Sequence, residues 1–378
     1  MIHFCADARM INNSGIGVYI RQYIQFILIQ STFKVTLLGR EDELTNYFGR
    51  FKNWRHINAD FPIYSVTEQF RLPLLIPVCD VFWSPHYNIP LLPIRAHRHL
   101  VTIPDVYHLA YYDTLSRAQK LYARIVINAA VRKADKITTI SHYSKQEIQR
   151  FTGAADPKIE VLYLGVDNNV FHSIDDTIDR ERVKAQYALP DQYILFVGNV
   201  KPNKNLRMLV EGFAKLLIDS PDLTLLITGK QEGFITGDPA LFDRIQSDKT
   251  LASRIIFTGF VDAKDLPVLY SLAHLFAFPS IYEGFGFPPL EAMACGCPVV
   301  ASNAASIPEI CGDAAWYVDP FDSEDIARRL REVTMDGALR KKLISAGYRQ
   351  CLRYDWNKSS ERFVEVIKKL AGRQITNK

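Results

Sequence analysis

Long hydrophobic runs are missing from this chain of 378 residues. No apolar stretch approaches the roughly 18 residues that a membrane-spanning helix needs. Residues 1–25 lack the charged, apolar and small-residue order of a secretory signal, so the expectation is a cytoplasmic protein. Cysteine is sparse: Cys5, Cys79, Cys295, Cys297, Cys311 and Cys351 make no CxxC pair and sit among apolar neighbours, the pattern of reduced core thiols. Cys295 and Cys297 flank Gly296 at an expected helix end, where packing explains them better than metal ligation. The acidic run Asp175, Asp176 and Asp179 has no strand beside it to hold a cation. It reads as solvated loop, and neither a metal nor another cofactor is expected. Internal sequence repeats are absent as well.

What remains is the composition of a soluble globular protein, 48% hydrophobic and 23% charged, and long enough for two domains. The net charge of +4 is unevenly spread, with 19 Lys and Arg against 14 Asp and Glu in residues 1–172. Much of the excess lies between Arg117 and Arg150, with Leu121, Ile125 and Val131 interleaved. Residues 117–150 therefore offer two alternatives: an amphipathic helix making peripheral contact with anionic lipid at the inner face of a membrane, or a plain solvated helix face. A nucleic-acid partner is not expected.

Short apolar strands alternate with helical stretches twice over, which predicts an α/β protein of two doubly wound, Rossmann-like halves. In the first half the strands fall at Ile2–Ala6, Lys34–Leu38, Val81–Trp83, Leu100–Ile103 and Lys136–Ile140. In the second they fall at Tyr193–Val197, Leu223–Thr228, Arg254–Thr258, Leu275–Phe278, Val299–Ser302 and Trp316–Val318. The polar stretch 168–189 lacks a strand and carries the boundary, giving domains 1–172 and 173–355. A last helix has Phe363, Val364, Ile367 and Leu370 at helical spacing.

The most telling stretch is Pro279–Pro298, which sets Glu283 and Glu291 around a Gly284-Phe285-Gly286-Phe287 turn and a proline-led helix. Proline suits a first helical turn because it lacks the N–H that would be orphaned there. The amides ahead of it are left free for an anion, and glycine lets the backbone come close to a phosphate or sugar ring. Two carboxylates facing one ligand would accept hydrogen bonds from paired hydroxyls. A helix start with an acidic residue favoured by the dipole explains neither the glycines nor the second glutamate.

With Pro308–Pro320 downstream, and with Phe196–Asn205, Thr228-Gly229-Lys230 and Phe257–Val261 upstream in the same order, this stretch resembles the retaining glycosyltransferases of family 4. The mark of that family is Glu-x7-Glu. The resemblance implies a GT-B fold, two facing Rossmann-like domains with a C-terminal helix, here 356–378, crossing back to the first. It assigns residues 1–172 to acceptor binding and 173–355 to a nucleotide-sugar donor. Glu283 and Glu291 then meet donor-sugar and ribose hydroxyls rather than acting as a hydrolase pair.

Further roles follow from the resemblance. Lys204 neutralises the donor diphosphate. A second cation has no assigned place, because many relatives carry arginine where this chain has Asn199 or Asn203; Lys201, Arg207 and Lys230 are candidates, with Lys230 preferred. Gly15 and Gly17 form the glycine-rich loop that touches donor phosphates and acceptor, although a Gly-x-Gly turn by itself needs no ligand. The third glycine of a dinucleotide fingerprint is missing. Val261 and Leu266 border the base. Asp105 is the carboxylate to watch, as catalytic group or as acceptor-orienting group. The family's usual histidine position is Pro104 here, and His86 or His108 is expected to replace it. The implied reaction moves a hexose, GDP-mannose being the favoured donor, to a glycan or lipid-linked acceptor in surface-polysaccharide or lipopolysaccharide synthesis. A UDP- or ADP-sugar donor, a nucleotide-sugar epimerase of the same fold, and a non-catalytic binding subunit are the alternatives.

Overall fold

The computed structural model describes residues 1–111, 116–229 and 238–372. It divides into two compact units: Met1–Gly165 with the C-terminal stretch from Trp356, and Val166–Asp355.

The first unit holds a seven-stranded sheet of β1 (Ile2–Asp7), β2 (Phe33–Gly39), β3 (Trp54–Asn58), β4 (Cys79–Ser84), β5 (Ala96–Thr102), β6 (Lys136–Thr139) and β7 (Ile159–Val161). Its order is β3-β2-β1-β4-β5-β6-β7, and every neighbouring pair is parallel. Parallel strands covered by helices on both faces must be apolar on both sides, which is why Phe4, Cys5 and Ala6 of β1 are all fully buried. The two strands missed from sequence, β3 and β7, are the edges of this sheet. Each is half-buried and polar in part, and β7 is only three residues long, so neither shows a continuous apolar run.

The second unit holds β8 (Tyr193–Val197), β9 (Thr224–Thr228), β10 (Ile255–Gly259), β11 (Leu275–Phe278), β12 (Val299–Ser302) and β13 (Ala315–Val318), in the order β10-β9-β8-β11-β12-β13. These pairs are parallel too. Its core runs from Phe196 and Leu225 to Phe213, Leu216, Ile326 and Leu330 on the flanking helices. The acidic run expected as solvated loop instead starts the helix Thr177–Tyr187: the Asp176 carboxylate caps it, accepting from the amides of Ile178 and Asp179. An N-cap carboxylate satisfies amides that the first turn leaves orphaned, which explains aspartate there without a cation.

The helix Trp356–Leu370 packs on the first unit. Phe363 stacks on Tyr23 at 4.3 Å between ring centroids, and the Tyr23 hydroxyl lies 2.9 Å from Ser359 Oγ. Gly165 permits the crossing, since a Cβ there would stand 2.5 Å from the Trp356 amide nitrogen. Among the described residues no helix is long and apolar enough to cross a membrane.

Candidate functional site

In the second sheet the chain leaves β8 toward β9 on one flank, while β11 lies on the other, so the carboxyl ends of β8 and β11 bound the switch point where open α/β sheets bind ligands. Lys204 follows β8 on a 3-10 turn, Pro202–Lys204, and Glu283 follows β11. Asparagines tie the two loops together. The Ile281 amide donates to Asn203 O at 2.8 Å, and Asn203 Nδ2 donates to Tyr282 O at 3.1 Å. Asn205, left-handed at φ 58°, donates to Pro279 O at 3.2 Å and Pro320 O at 2.6 Å. A short polar side chain is favoured in that backbone region. Asn203 thus clamps the loop after β11 to the loop after β8.

The clamp brings Lys204 Nζ to 2.7 Å from Glu283 Oε1, with the ammonium 5.1 Å from the centroid of Phe278. Both side chains are about one-sixth exposed, at 17% and 16%. Behind them the Ser306 hydroxyl faces the carbonyls of Glu283 at 2.9 Å and Phe285 at 2.7 Å, fixing the turn. Gly286, at φ 127°, takes a backbone conformation that side chains resist, and a Cβ there would also press Ile307 at 3.1 Å. The helix Phe287–Ala294 starts at once, with Pro288 in its first turn. Glu291 therefore stands one turn further in than the sequence suggests.

Glu291 Oε2 accepts from the Tyr270 hydroxyl at 3.1 Å. Burial raises its carboxyl to about 7, and the hydroxyl and the charge of Lys204 only partly oppose this. Leu266 lies one turn ahead of Tyr270 on the helix Leu266–Leu272, which puts it on the same face; Leu266 and Val261 are both half-buried. At the ends of β8 and β9, Gly198 (φ 153°) and Gly229 (φ 143°) approach so closely that a Cβ on Gly229 would lie 2.3 Å from Gly198 O. Arg207 is engaged by Asp238, the cap of the helix Pro239–Ser247. Lys230 lies outside the described residues.

In the first unit, Gly15 (φ 73°) caps the helix Ile16–Leu28, and a Cβ on Gly17 would sit 2.2 Å from Ile11 O. That helix start can fold back on residues 11–13 only with glycine. His86 and His108 are joined through Tyr87: the rings of His86 and Tyr87 are 3.9 Å apart, and the Tyr87 hydroxyl lies 3.1 Å from His108 Nδ1. Burial, with repulsion from His108, pushes His86 down to about 3, so it is neutral. Asp105 Oδ1 accepts from the Tyr107 amide at 2.9 Å; burial raises Tyr64 and Tyr87, and the Asp105 charge adds a smaller push in the same direction. Sequence reading missed Ser306, Tyr270, Tyr87 and Arg9, which come into place from other elements.

Two parallel, doubly wound sheets, the Lys204–Glu283 pair at the second switch point and a final helix returned to the first unit define a glycosyltransferase of the GT-B fold. Residues 177–350 match the model of the glycosyl transferases group 1, and residues 14–170 that of glycosyltransferase family 4. The chain is 30% identical over 285 residues to the O-antigen chain mannosyltransferase B of Escherichia coli, covering 74% of this chain and 72% of that one. It belongs to family 4 of the glycosyltransferases. It is also 31% identical over 247 residues (64% of this chain) to the serotype-specific mannosyltransferase WbdA of Escherichia coli, but spans only about 30% of that relative's length. The fold is shared with Anabaena HepE, crystallised with UDP and glucose, at a TM-score of 0.78 and 18% identity, over 98% of this chain and 100% of that one.

Proposed function

We propose that this glycosyltransferase moves mannose from GDP-mannose, with retention of configuration and without a metal, to a glycan or lipid-linked glycan acceptor in O-antigen or related surface-polysaccharide synthesis. The observation that carries the reading is the meeting of Lys204 and Glu283 at the second sheet's switch point. There a cation for the diphosphate stands beside an acceptor for sugar hydroxyls. The similarity to O-antigen mannosyltransferases supports mannose as the sugar.

In this reading the bond from the sugar C1 to the β-phosphate oxygen breaks and a bond from C1 to the acceptor oxygen forms on the same face. The acceptor proton passes to the departing phosphate. Lys204 stabilises that leaving group, with Lys230 as second cation and the amides of Gly284–Phe287 turned to the donor. Glu291 takes the ribose hydroxyls, while Val261 and Leu266 border the base. On the first unit, Gly15 and Gly17 line the phosphate and acceptor side, Asp105 orients the acceptor hydroxyl, and His86 and His108 stand in for the residue replaced by Pro104.

The enzyme is further read as cytoplasmic with peripheral contact to an anionic membrane. The helix Arg117–Lys133 exposes Leu121 and Ile125, and the helix Val66–Leu75 exposes Val66, Phe70 and Leu74. Leu91 links the two, its amide donating to Gln69 Oε1 at 2.8 Å and its carbonyl accepting from Lys133.

Calorimetric titration with GDP, UDP, ADP and their hexose conjugates, EDTA present, tests the donor. Selective binding of GDP-mannose is expected. A uridine or adenosine sugar binding instead would overturn the donor and keep the enzyme class. Conversion of the sugar without an acceptor would point to an epimerase, and binding without turnover to a non-catalytic subunit.

A further inference from the structure

The first sheet has its own switch point, between β1 and β4. A small cavity lies at it, walled by Asp7 at the end of β1, by Arg9 just after it, and by Pro85, His86 and Asn88 after β4. Its volume of about 10 Å³ admits one water or one hydroxyl group and no more.

Arg9 is the exceptional wall. Its side chain is 4% exposed. Nε donates to Asp7 Oδ1 at 2.8 Å, and Nη2 donates to Asp7 Oδ2 at 2.6 Å and to Glu68 Oε1 at 2.5 Å. The guanidinium carbon lies 4.8 Å from the centroid of the Phe61 ring. Glu68 is fully buried and also accepts from Asn88 Nδ2 at 2.6 Å and the Tyr64 amide at 2.9 Å; Asn88 Oδ1 accepts from the Tyr122 hydroxyl at 2.6 Å. Six groups thus fix the arginine and its partners, yet Arg9 Nη1 is buried with no hydrogen-bond partner. An unmet donor on a buried cation is costly, and here it belongs to a residue held rigid on a cavity of single-oxygen size.

We propose that Arg9 Nη1 and this cavity form an acceptor subsite that binds one hydroxyl oxygen of an uncharged sugar residue. The proposal rests on the transferase reading above. Its chemistry follows from the walls. The ligand atom must accept a hydrogen bond, which rules out an ammonium. The cluster sets two carboxylates, Asp7 and Glu68, against one guanidinium, and the neutral His86 adds no positive charge. A phosphate or carboxylate would enter against net negative charge, whereas a hydroxyl carries none. Arg9 is a specificity-determining residue in this scheme, and Glu68 and Asn88 position it.

The test uses the full chain with GDP-mannose as donor and methyl α-mannoside or its 6-phosphate as acceptor. Wild type is expected to transfer to the neutral mannoside with at least tenfold higher kcat/KM. Arg9→Lys, which keeps the charge but removes Nη1, should raise the KM for methyl α-mannoside about tenfold while leaving calorimetric GDP-mannose affinity unchanged. Glu68→Gln, which removes one charge at constant size, should narrow the discrimination against the phosphorylated acceptor at least threefold, and this keeps the idea testable if the Arg9 variant folds poorly. An unchanged acceptor KM in Arg9→Lys would mean that Nη1 holds only a structural water, and the subsite would be wrong. Preference for the phosphorylated acceptor, or transfer to neither while donor is bound and hydrolysed, would overturn it equally. Absence of any nucleotide-sugar binding by wild type would instead bring down the transferase reading itself.

Discussion

Lys204 and Glu283 lie 79 positions apart in sequence and 2.7 Å apart in space. Each follows a strand bordering the switch point of the second sheet, and the Asn203 and Asn205 side chains lock their loops together. The pair holds each charge in place with its side chain about one-sixth exposed, and in the proposed reading a diphosphate and a sugar separate the two. Glu283→Ala should lower transfer by on the order of 10²–10³ in kcat/KM, the cost of losing a preorganised polar contact in an active site. Lys204→Ala should cost a similar factor, falling mainly on kcat because a leaving group gains charge in the transition state. Circular dichroism should show both variants folded. Near-normal transfer by Glu283→Ala would remove that residue from the site.

Glu291 gives a pH dependence with a definite sign. Its folded carboxyl is raised to about 7 by burial, above the ordinary carboxylate value. A group raised in this way contributes stability below its unfolded pKa, and that contribution is lost as pH rises through about 7. Glu291→Gln, which imitates the protonated form, should therefore raise the Tm at pH 8 and change it little at pH 4. Under the proposed ribose contact, donor binding should move the other way, since an ionised carboxylate is the stronger acceptor for hydroxyls. Wild-type affinity for the nucleotide sugar should fall as pH drops from 8 to 6, and a flat profile would argue against a ribose contact.

Gly229→Ala should destabilise the second unit. The residue sits at φ 143°, and its added Cβ would lie 2.3 Å from the carbonyl oxygen of Gly198, a backbone atom that cannot swing away. Strain of this kind costs on the order of 1–3 kcal/mol. Denaturant unfolding should show the loss with an unchanged m-value.

The proposed metal-free mechanism predicts full transfer in excess EDTA. Lysine and helix amides are then sufficient to hold the diphosphate, and loss of activity that Mg²⁺ restores would show that they are not.

The exposed apolar side chains Phe70, Leu74, Leu121 and Ile125, among basic residues, predict flotation with anionic liposomes and release by salt. Leu121→Glu with Ile125→Glu should abolish flotation and leave transfer to a soluble acceptor unaltered. Equal recovery with neutral and anionic vesicles would exclude a charge-driven contact.

Elements whose signal is local were legible from the order of residues. Fully buried parallel strands such as Leu275–Phe278 and Val299–Ser302 must be apolar on both faces, so their limits could be read directly. Glu283, the glycine turn and Pro288 were legible because strand, turn and helix start follow one another within a dozen residues. Edge strands at Trp54–Asn58 and Ile159–Val161 stayed hidden, since an edge is covered on fewer sides and need not be apolar throughout. Which side chains meet was set by folding in three dimensions. Tyr270 reaches Glu291 from another helix, Ser306 braces the turn from beyond β12, and Asn203 clamps the loop after β11. Arg9 becomes notable only when Glu68, itself held by Asn88 and Tyr122 from remote parts of the sequence, meets it and Nη1 is left without a partner. Burial and pairing are sums over neighbours that the chain brings together by folding, and a one-dimensional pattern carries no record of them.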